Sequence, residues 1–139
     1  MNKDFLGEMG YDNIGTVEML MSGDGTFHFL EMNTRLQVEH GVTEEITGVD
    51  PVVAQIRSAA GINLYTILPA KIEAKGHAIQ ARVYAEDSER FLHPPGRLTT
   101  FRPPYGSQVR IETAYAEGRD VTLHYDPLLA KVIVTAVQL

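Results

Sequence analysis

Residues 15–33 read "GTVEMLMSGDGTFHFLEMN", two apolar-rich runs parted by Ser22, Gly23, Asp24 and Gly25. Runs of this kind around a short Gly- and Asp-containing loop predict an antiparallel β-hairpin. An isolated two-stranded hairpin is marginal in water. The fold class is therefore decided by what the rest of the chain packs beside it.

With Ser22–Gly25 as a four-residue loop, Met21 faces Thr26, Leu20 faces Phe27, Glu18 faces Phe29 and Thr16 faces Glu31. Glu18 and Glu31 then share a face as diagonal neighbours, roughly 7 to 8 Å apart at the backbone. A slip of one residue would put them on opposite faces. Asn33 lies one step further along the acids' face, while His28, with Leu30 and Met32, points the other way. The alternation runs on through "FLEMNTRLQVEHG" at 29–41, with Glu31, Asn33, Arg35, Gln37 and Glu39 at every second position. Past Arg35 this spacing is expected to continue in a loop. Such a pattern is either a solvated face or the lining of a reaction site. Two carboxylates with an amide oxygen form the hard-oxygen set that suits Mg²⁺, which commonly fills its remaining positions with water and substrate phosphates.

Outward from the hairpin, residues 1–13 read as the end of a helix and a turn at Gly10. A polar loop follows the hairpin, with "TEEIT" at 43–47 as solvated loop or a first helical turn. Asp50 before Pro51 is an N-cap and first-turn pair. Val52, Val53, Ile56, Ala59 and Ala60 recur at helical spacing, and Gly61 closes the helix. Residues 62–76 read as a connection, with a domain boundary near Ala74. This gives domains 1–73 and 74–139. In "HAIQARVYAE" (77–86), His77, Ile79, Ala81, Val83 and Ala85 face one way, and Gln80, Arg82, Tyr84 and Glu86 with Ala78 the other. Arg82 stands on the polar side. Prolines break "FLHPPGRLTTFRPPYG" (91–106) into loop and short edge strand. Further strands are expected near Gln108–Thr113 and Ala130–Val137. The class is α+β, mainly antiparallel sheet with helices.

Composition narrows the function. The chain has 139 residues, 44% of them hydrophobic and 22% charged, with a formal net charge of -6. That balance, without a Lys/Arg run, argues against nucleic acid and against an anionic membrane surface. The chain has no cysteine, which excludes disulfides, thiolate metal sites and a cysteine nucleophile. Acidic residues stand where a signal peptide needs an apolar core, and no apolar run approaches membrane-spanning length. A cytoplasmic, soluble protein is expected.

Several motifs then carry a resemblance. "EMNTRLQVEH" (31–40) with "VTE" behind it, preceded by "GTVEML" and followed by "ARVYAED", "PPGRL" and "YDPLLAKVIV", resembles the biotin carboxylase component of biotin-dependent carboxylases, within the ATP-grasp superfamily. The likeness covers nearly the whole chain. It implies the last strands of an ATP-grasp unit (1–73) and an incomplete biotin carboxylase C-terminal domain (74–139).

The implied reaction is ATP-dependent carboxylation of biotin with bicarbonate through carboxyphosphate. ATP and Mg²⁺ or Mn²⁺ are the implied cofactors and biotin the carboxyl acceptor. By resemblance, Glu18 and Glu31 hold the metal with Asn33 in support, Glu31 also serves ATP, and Leu20 packs on the adenine. Arg35 binds bicarbonate with Gln37 and the backbone of Val38, Glu39 is the general base, and Arg82 steadies charge on the biotin ureido oxygen. A planar guanidinium suits a carboxylate-like anion, and a carboxylate beside that anion can take its proton.

The implied partners are a biotin carrier domain or protein, a carboxyltransferase component and a second copy in a homodimer. The final acceptor could be acetyl-CoA, as in fatty acid synthesis, another acyl-CoA, pyruvate or urea. The chain departs from the family pattern in Gly41, where a proline usually follows "VEH". The family's glycine-rich ATP loop and any "MKM"-type biotinylation site are absent from these residues, so the isolated segment is expected to be inactive. Two other readings stand beside this one: a bicarbonate-phosphorylating ligase of the carbamoyl-phosphate synthetase type, and a non-catalytic dimerisation module. Arg82 within "ARVYAED" speaks for biotin.

Overall fold

The computed structural model describes residues 7–87, 89–90 and 92–136. The chain divides into two units, Met1–Glu73 and Ala74–Leu139, and mixes helices with antiparallel sheets. Most of the helix end expected within 1–13 lies outside the described residues; its last turn ends as Gly10 N–H donates to the Gly7 carbonyl at 3.0 Å. No helix among the described residues is long and apolar enough to cross a membrane.

In the first unit, β1 (Thr16–Met21) and β2 (Phe27–Asn33) form the expected hairpin, in a register that differs from expectation. The loop is one residue longer, with Ser22 N–H bonded to the Thr26 carbonyl at 2.9 Å and Gly25 N–H to the Ser22 carbonyl at 2.9 Å. Gly25 has φ 84°, a conformation that costs glycine little and other residues more. Met21 consequently faces Phe27, Met19 faces Phe29, and Leu20 faces His28. Continued unbroken, this register would set Glu18 against Leu30 and separate the two acids. A bulge opposite Glu18/Met19 takes up Leu30 instead, and Glu18 faces Glu31 directly, Val17 faces Met32 and Thr16 faces Asn33. His28 thus shares the acids' face, contrary to expectation, and its Nε2 lies 2.8 Å from Ser22 Oγ.

Asp24 accepts from Thr26 N–H at 3.0 Å. That backbone hydrogen bond, supported by the Thr26 side chain, holds the fully exposed carboxyl below the usual range. The stabilisation it gives is present above the ordinary carboxylate pKa and is lost as pH falls through the lowered one.

Three helices follow: α1 (His40–Thr47), α2 (Pro51–Ala59) and α3 (Leu64–Ile67). The sequence foresees α2, and for 43–47 offers a first helical turn as one of two readings; the cap of α2 is as expected, with Asp50 accepting from Val53 N–H at 2.8 Å and Pro51 in the first turn. Asp50→Ala is expected to cost about 1 kcal/mol, read as a lower urea midpoint, with Asp50→Asn near neutral. The stripe Val52, Val53 and Ile56 is exposed, while Pro51, Ala54, Gln55 and Ser58 line a cavity with Ile14, Leu64 and Leu68. α1 takes the helical of the two readings of 43–47 and begins earlier, at His40. Glu39 precedes it without a side-chain cap, and it ends at Gly48, whose N–H bonds to the Glu44 carbonyl at 2.8 Å. α3 interrupts the expected connection, with Asn63 accepting from Tyr65 N–H at 2.9 Å.

The second unit holds a three-stranded antiparallel sheet in the order β3 (His77–Tyr84), β7 (Leu128–Ala136), β5 (Val109–Glu112). Beside it is a two-stranded pair, β4 (Gly96–Arg97) with β6 (Asp120–Val121). The strands expected near 77, 108 and 130 are present; the Val137 end lies outside the described residues. Asp126 caps the turn into β7 by accepting from Leu128 N–H at 2.8 Å. Among the described residues, the buried apolar ones, Val121, Leu129, Ala130 and Ile133, belong to this unit. The Arg82 side of β3 is not simply wet. Gln80 pairs with Ile133, which is 0% exposed, whereas Ile79 on the apolar side is 64% exposed.

Candidate functional site

Because directly paired residues project to one side of a hairpin, the bulge places Thr16 with Asn33, Glu18 with Glu31 and Leu20 with His28 as successive rows of one face. The two carboxylates meet at a single group. Asn33 Nδ2 donates to Glu18 Oε1 at 2.8 Å and to Glu31 Oε1 at 3.2 Å. The Asn33 amide oxygen in turn accepts from Arg35 Nη2 at 3.4 Å, and Gln37 Nε2 reaches Glu18 Oε1 at 3.4 Å.

Gly15 lets the chain before β1 run close to the backbone of Asn33. A Cβ there would lie 3.1 Å from the Asn33 carbonyl oxygen and 2.7 Å from the flexible end of Met32.

Among the described residues no third His, Asp or Glu joins the pair, so any cation here has two carboxylates and an amide to bind it. The donor chemistry fits a hard cation. An amide N–H₂ already occupies a point within hydrogen-bonding reach of both carboxylates, and rotating that amide would turn its oxygen toward the same point.

Next to this end, Arg35, Gln37 and Glu39 line a cleft of ≈ 220 Å³ with Thr16, His40 and Thr43. The cleft adjoins the N-terminus of α1, where backbone N–H groups and the helix dipole favour an anion. His40 has a structural part, its Nδ1 lying 2.6 Å from Glu44 Oε1 one turn on. Gly41 is buried in the first turn of α1. Leu20 is 57% exposed on the acids' face, available to an apolar ligand surface.

Arg82 belongs to the second unit, on β3 opposite Lys131 of β7. Its Nη1 donates to Tyr84 Oη at 3.3 Å. The sequence reading missed two neighbours of these residues: His28, assigned to the wrong face, and Lys131, a buried cation in the row of Arg82. Alternation in "YDPLLAKVIV" puts Lys131 with Leu129 and Ile133, the signal that could have revealed it.

Comparison with known proteins bears on both units. Residues 3–67 match the family model for the carbamoyl-phosphate synthase L chain, ATP binding domain, and residues 80–139 match the biotin carboxylase C-terminal domain. Biotin carboxylase 2 of Bacillus subtilis is 52% identical over 126 residues, covering 91% of this chain and 28% of the relative. The chain is similar to a segment of the biotin carboxylases along nearly its whole length. It spans about 28% of that relative's length.

A subunit of a larger carboxylase is similar too. The mitochondrial methylcrotonoyl-CoA carboxylase subunit alpha of Rattus norvegicus is 46% identical over 130 residues, covering 92% of this chain and 18% of the relative. Among solved structures, the biotin carboxylase domain of Hydrogenobacter thermophilus 2-oxoglutarate carboxylase superposes with a TM-score of 0.88 at 42% identity, covering 96% of this chain and 29% of that one. That domain was solved as a dimer with MgADP, ADP and bicarbonate.

Proposed function

We propose that this chain is the part of a biotin carboxylase that holds the metal end and the bicarbonate end of the site together with the biotin-facing arginine. The protein it serves would carboxylate biotin with bicarbonate at the expense of ATP. Residues 1–73 are assigned to the ATP-grasp domain and 74–139 to the C-terminal domain.

One observation carries the reading. Glu18 and Glu31 converge on one point, and hydrogen bonds lead from there through Asn33 and Gln37 to the cleft lined by Arg35 and Glu39.

Glu18, Glu31 and Asn33 would hold Mg²⁺ or Mn²⁺, which when bound neutralises the phosphate oxygens of ATP. Leu20 would pack on the adenine. Arg35 would orient bicarbonate with paired N–H donors, Gln37 and the Val38 backbone would complete its hydrogen bonds, and Glu39 Oε would accept its proton. Arg82 would meet charge appearing on the ureido oxygen of biotin.

The segment by itself is proposed to be inactive, since the matched relatives are more than three times its length. The proposed setting is the cytoplasm, with a biotin carrier, a carboxyltransferase and a second copy as partners, and an acyl-CoA, pyruvate or urea as final acceptor.

ADP release by the intact carboxylase with Mg²⁺ and bicarbonate, with and without free biotin, tests the proposal. Acceleration by biotin is expected. Cleavage indifferent to biotin would instead favour a ligase of the carbamoyl-phosphate synthetase type. For the metal end, Glu31→Ala is expected to raise the Mg²⁺ concentration at half-maximal rate roughly tenfold or more, as loss of one charged ligand from such a set implies. An unaltered Mg²⁺ titration would remove the hairpin from metal binding.

A further inference from the structure

α1 begins without the support that usually starts a helix. Glu39 holds the N-cap position but makes no side-chain capping hydrogen bond, whereas a short polar side chain there would satisfy one of the first backbone N–H groups. Gly41, Val42 and Thr43 in its first turn are poor helix formers. One contact makes up for this. His40, the first helical residue, places Nδ1 2.6 Å from Glu44 Oε1 one turn on, and the two side chains are only 16% and 10% exposed. A pair at this spacing on a wet surface adds little. One so deep is held to its geometry, because separating it gives up a hydrogen bond away from water.

His40 also closes the turn that carries Glu39. Its N–H donates to the Gln37 carbonyl at 3.2 Å, and the Val42 N–H donates to the Glu39 carbonyl at 3.1 Å. Glu39 is therefore flanked by a turn and a helical turn that meet at His40, and His40 is pinned to Glu44. All of this borders the same cleft, which His40 lines together with Arg35, Gln37 and Glu39.

We propose that His40 is a positioning residue for Glu39. Its bond to Glu44 takes over the task of an N-cap, so that α1 starts at a fixed point and Glu39, spared from capping, keeps its place in the cleft wall. The inference rests on the reading of Glu39 as the general base on bicarbonate.

The test uses the intact carboxylase carrying this segment and reads ADP release with MgATP and bicarbonate. His40→Ala should lower kcat about tenfold or more, the scale of loss when a reacting group is misplaced by an ångström or so, with the KM for MgATP within about twofold of the parent. His40→Asn should keep most of the rate, because its amide N–H₂ stands near the place of Nδ1. Glu44→Met should cost about as much as His40→Ala, and the two together no more than the worse alone. Such a cycle reads the pair itself, whatever else either side chain touches.

The deciding comparison places His40→Ala in a Glu39→Gln background. There it should lower the residual rate by less than about twofold, since a residue that acts through Glu39 has nothing left to position. Losses that multiply, a parent-like rate in His40→Ala, or an Asn variant no better than Ala each overturn the proposal while leaving Glu39 as the base. Near-normal turnover by Glu39→Gln alone removes the base reading, and the proposal with it. Should His40→Ala fail to fold, Glu44→Met carries the same comparison.

Discussion

Glu39→Gln in the intact carboxylase is expected to lower bicarbonate-dependent ATP cleavage about 10²- to 10⁴-fold, the range a positioned general base contributes. The fold should be little disturbed. Glu39 stands at the N-cap position of α1 yet makes no side-chain capping hydrogen bond, so the amide forfeits no cap. A shift in unfolding free energy within about 0.5 kcal/mol is expected for such an exposed site. The measurement pairs ADP release with a thermal melt. Near-normal turnover would remove Glu39 from the base role, and a loss of activity that tracks a loss of stability would make the residue structural.

Arg82→Ala is expected to abolish the acceleration by free biotin, a loss of about 10²- to 10³-fold in the biotin-dependent rate, comparable with removal of one donor to a developing oxyanion. Cleavage of ATP with bicarbonate alone should persist, because the metal and anion roles are assigned to other residues. Arg82→Lys should recover only part of the effect, since an ammonium keeps the charge but lacks the planar fork of donors. If biotin accelerates the variant as it does the parent, Arg82 does not meet the biotin ureido group, and the part played by the second unit must be sought elsewhere.

The sequence makes the hairpin, α2 and the strands of the second unit legible because each carries a local signal: Gly and Asp at a tip, an Asp-Pro start, strict alternation. α1 carries little of this. Its N-cap is Glu39 in place of a short polar side chain, Gly41 sits in its first turn, and Val42, Thr43, Ile46 and Thr47 are weak helix formers. What supports it is the His40–Glu44 pair and the left-handed Gly48 at its end, and Gly48 was the readable clue.

The pairing of Glu18 with Glu31 was expected as a shared face, correctly, but from a register that is wrong at every pair. An uncounted loop residue and an uncounted bulge each shift the alternation by one, and together they restore it. For Arg82 the strand face is read correctly from the sequence, but the burial of that face is not. Burial depends on Lys131, Ile133 and Glu112, which arrive from distant strands.

The Leu30 bulge also separates two parts of the hairpin that would otherwise be locked in phase. A regular ladder transmits any one-residue change at its tip to every row below. Here the irregularity lets the tip from Ser22 to Thr26 keep one count while the acidic row keeps another. A one-residue difference in the count of the tip is thus absorbed before it reaches the acidic row, and Glu18 and Glu31 stay face to face.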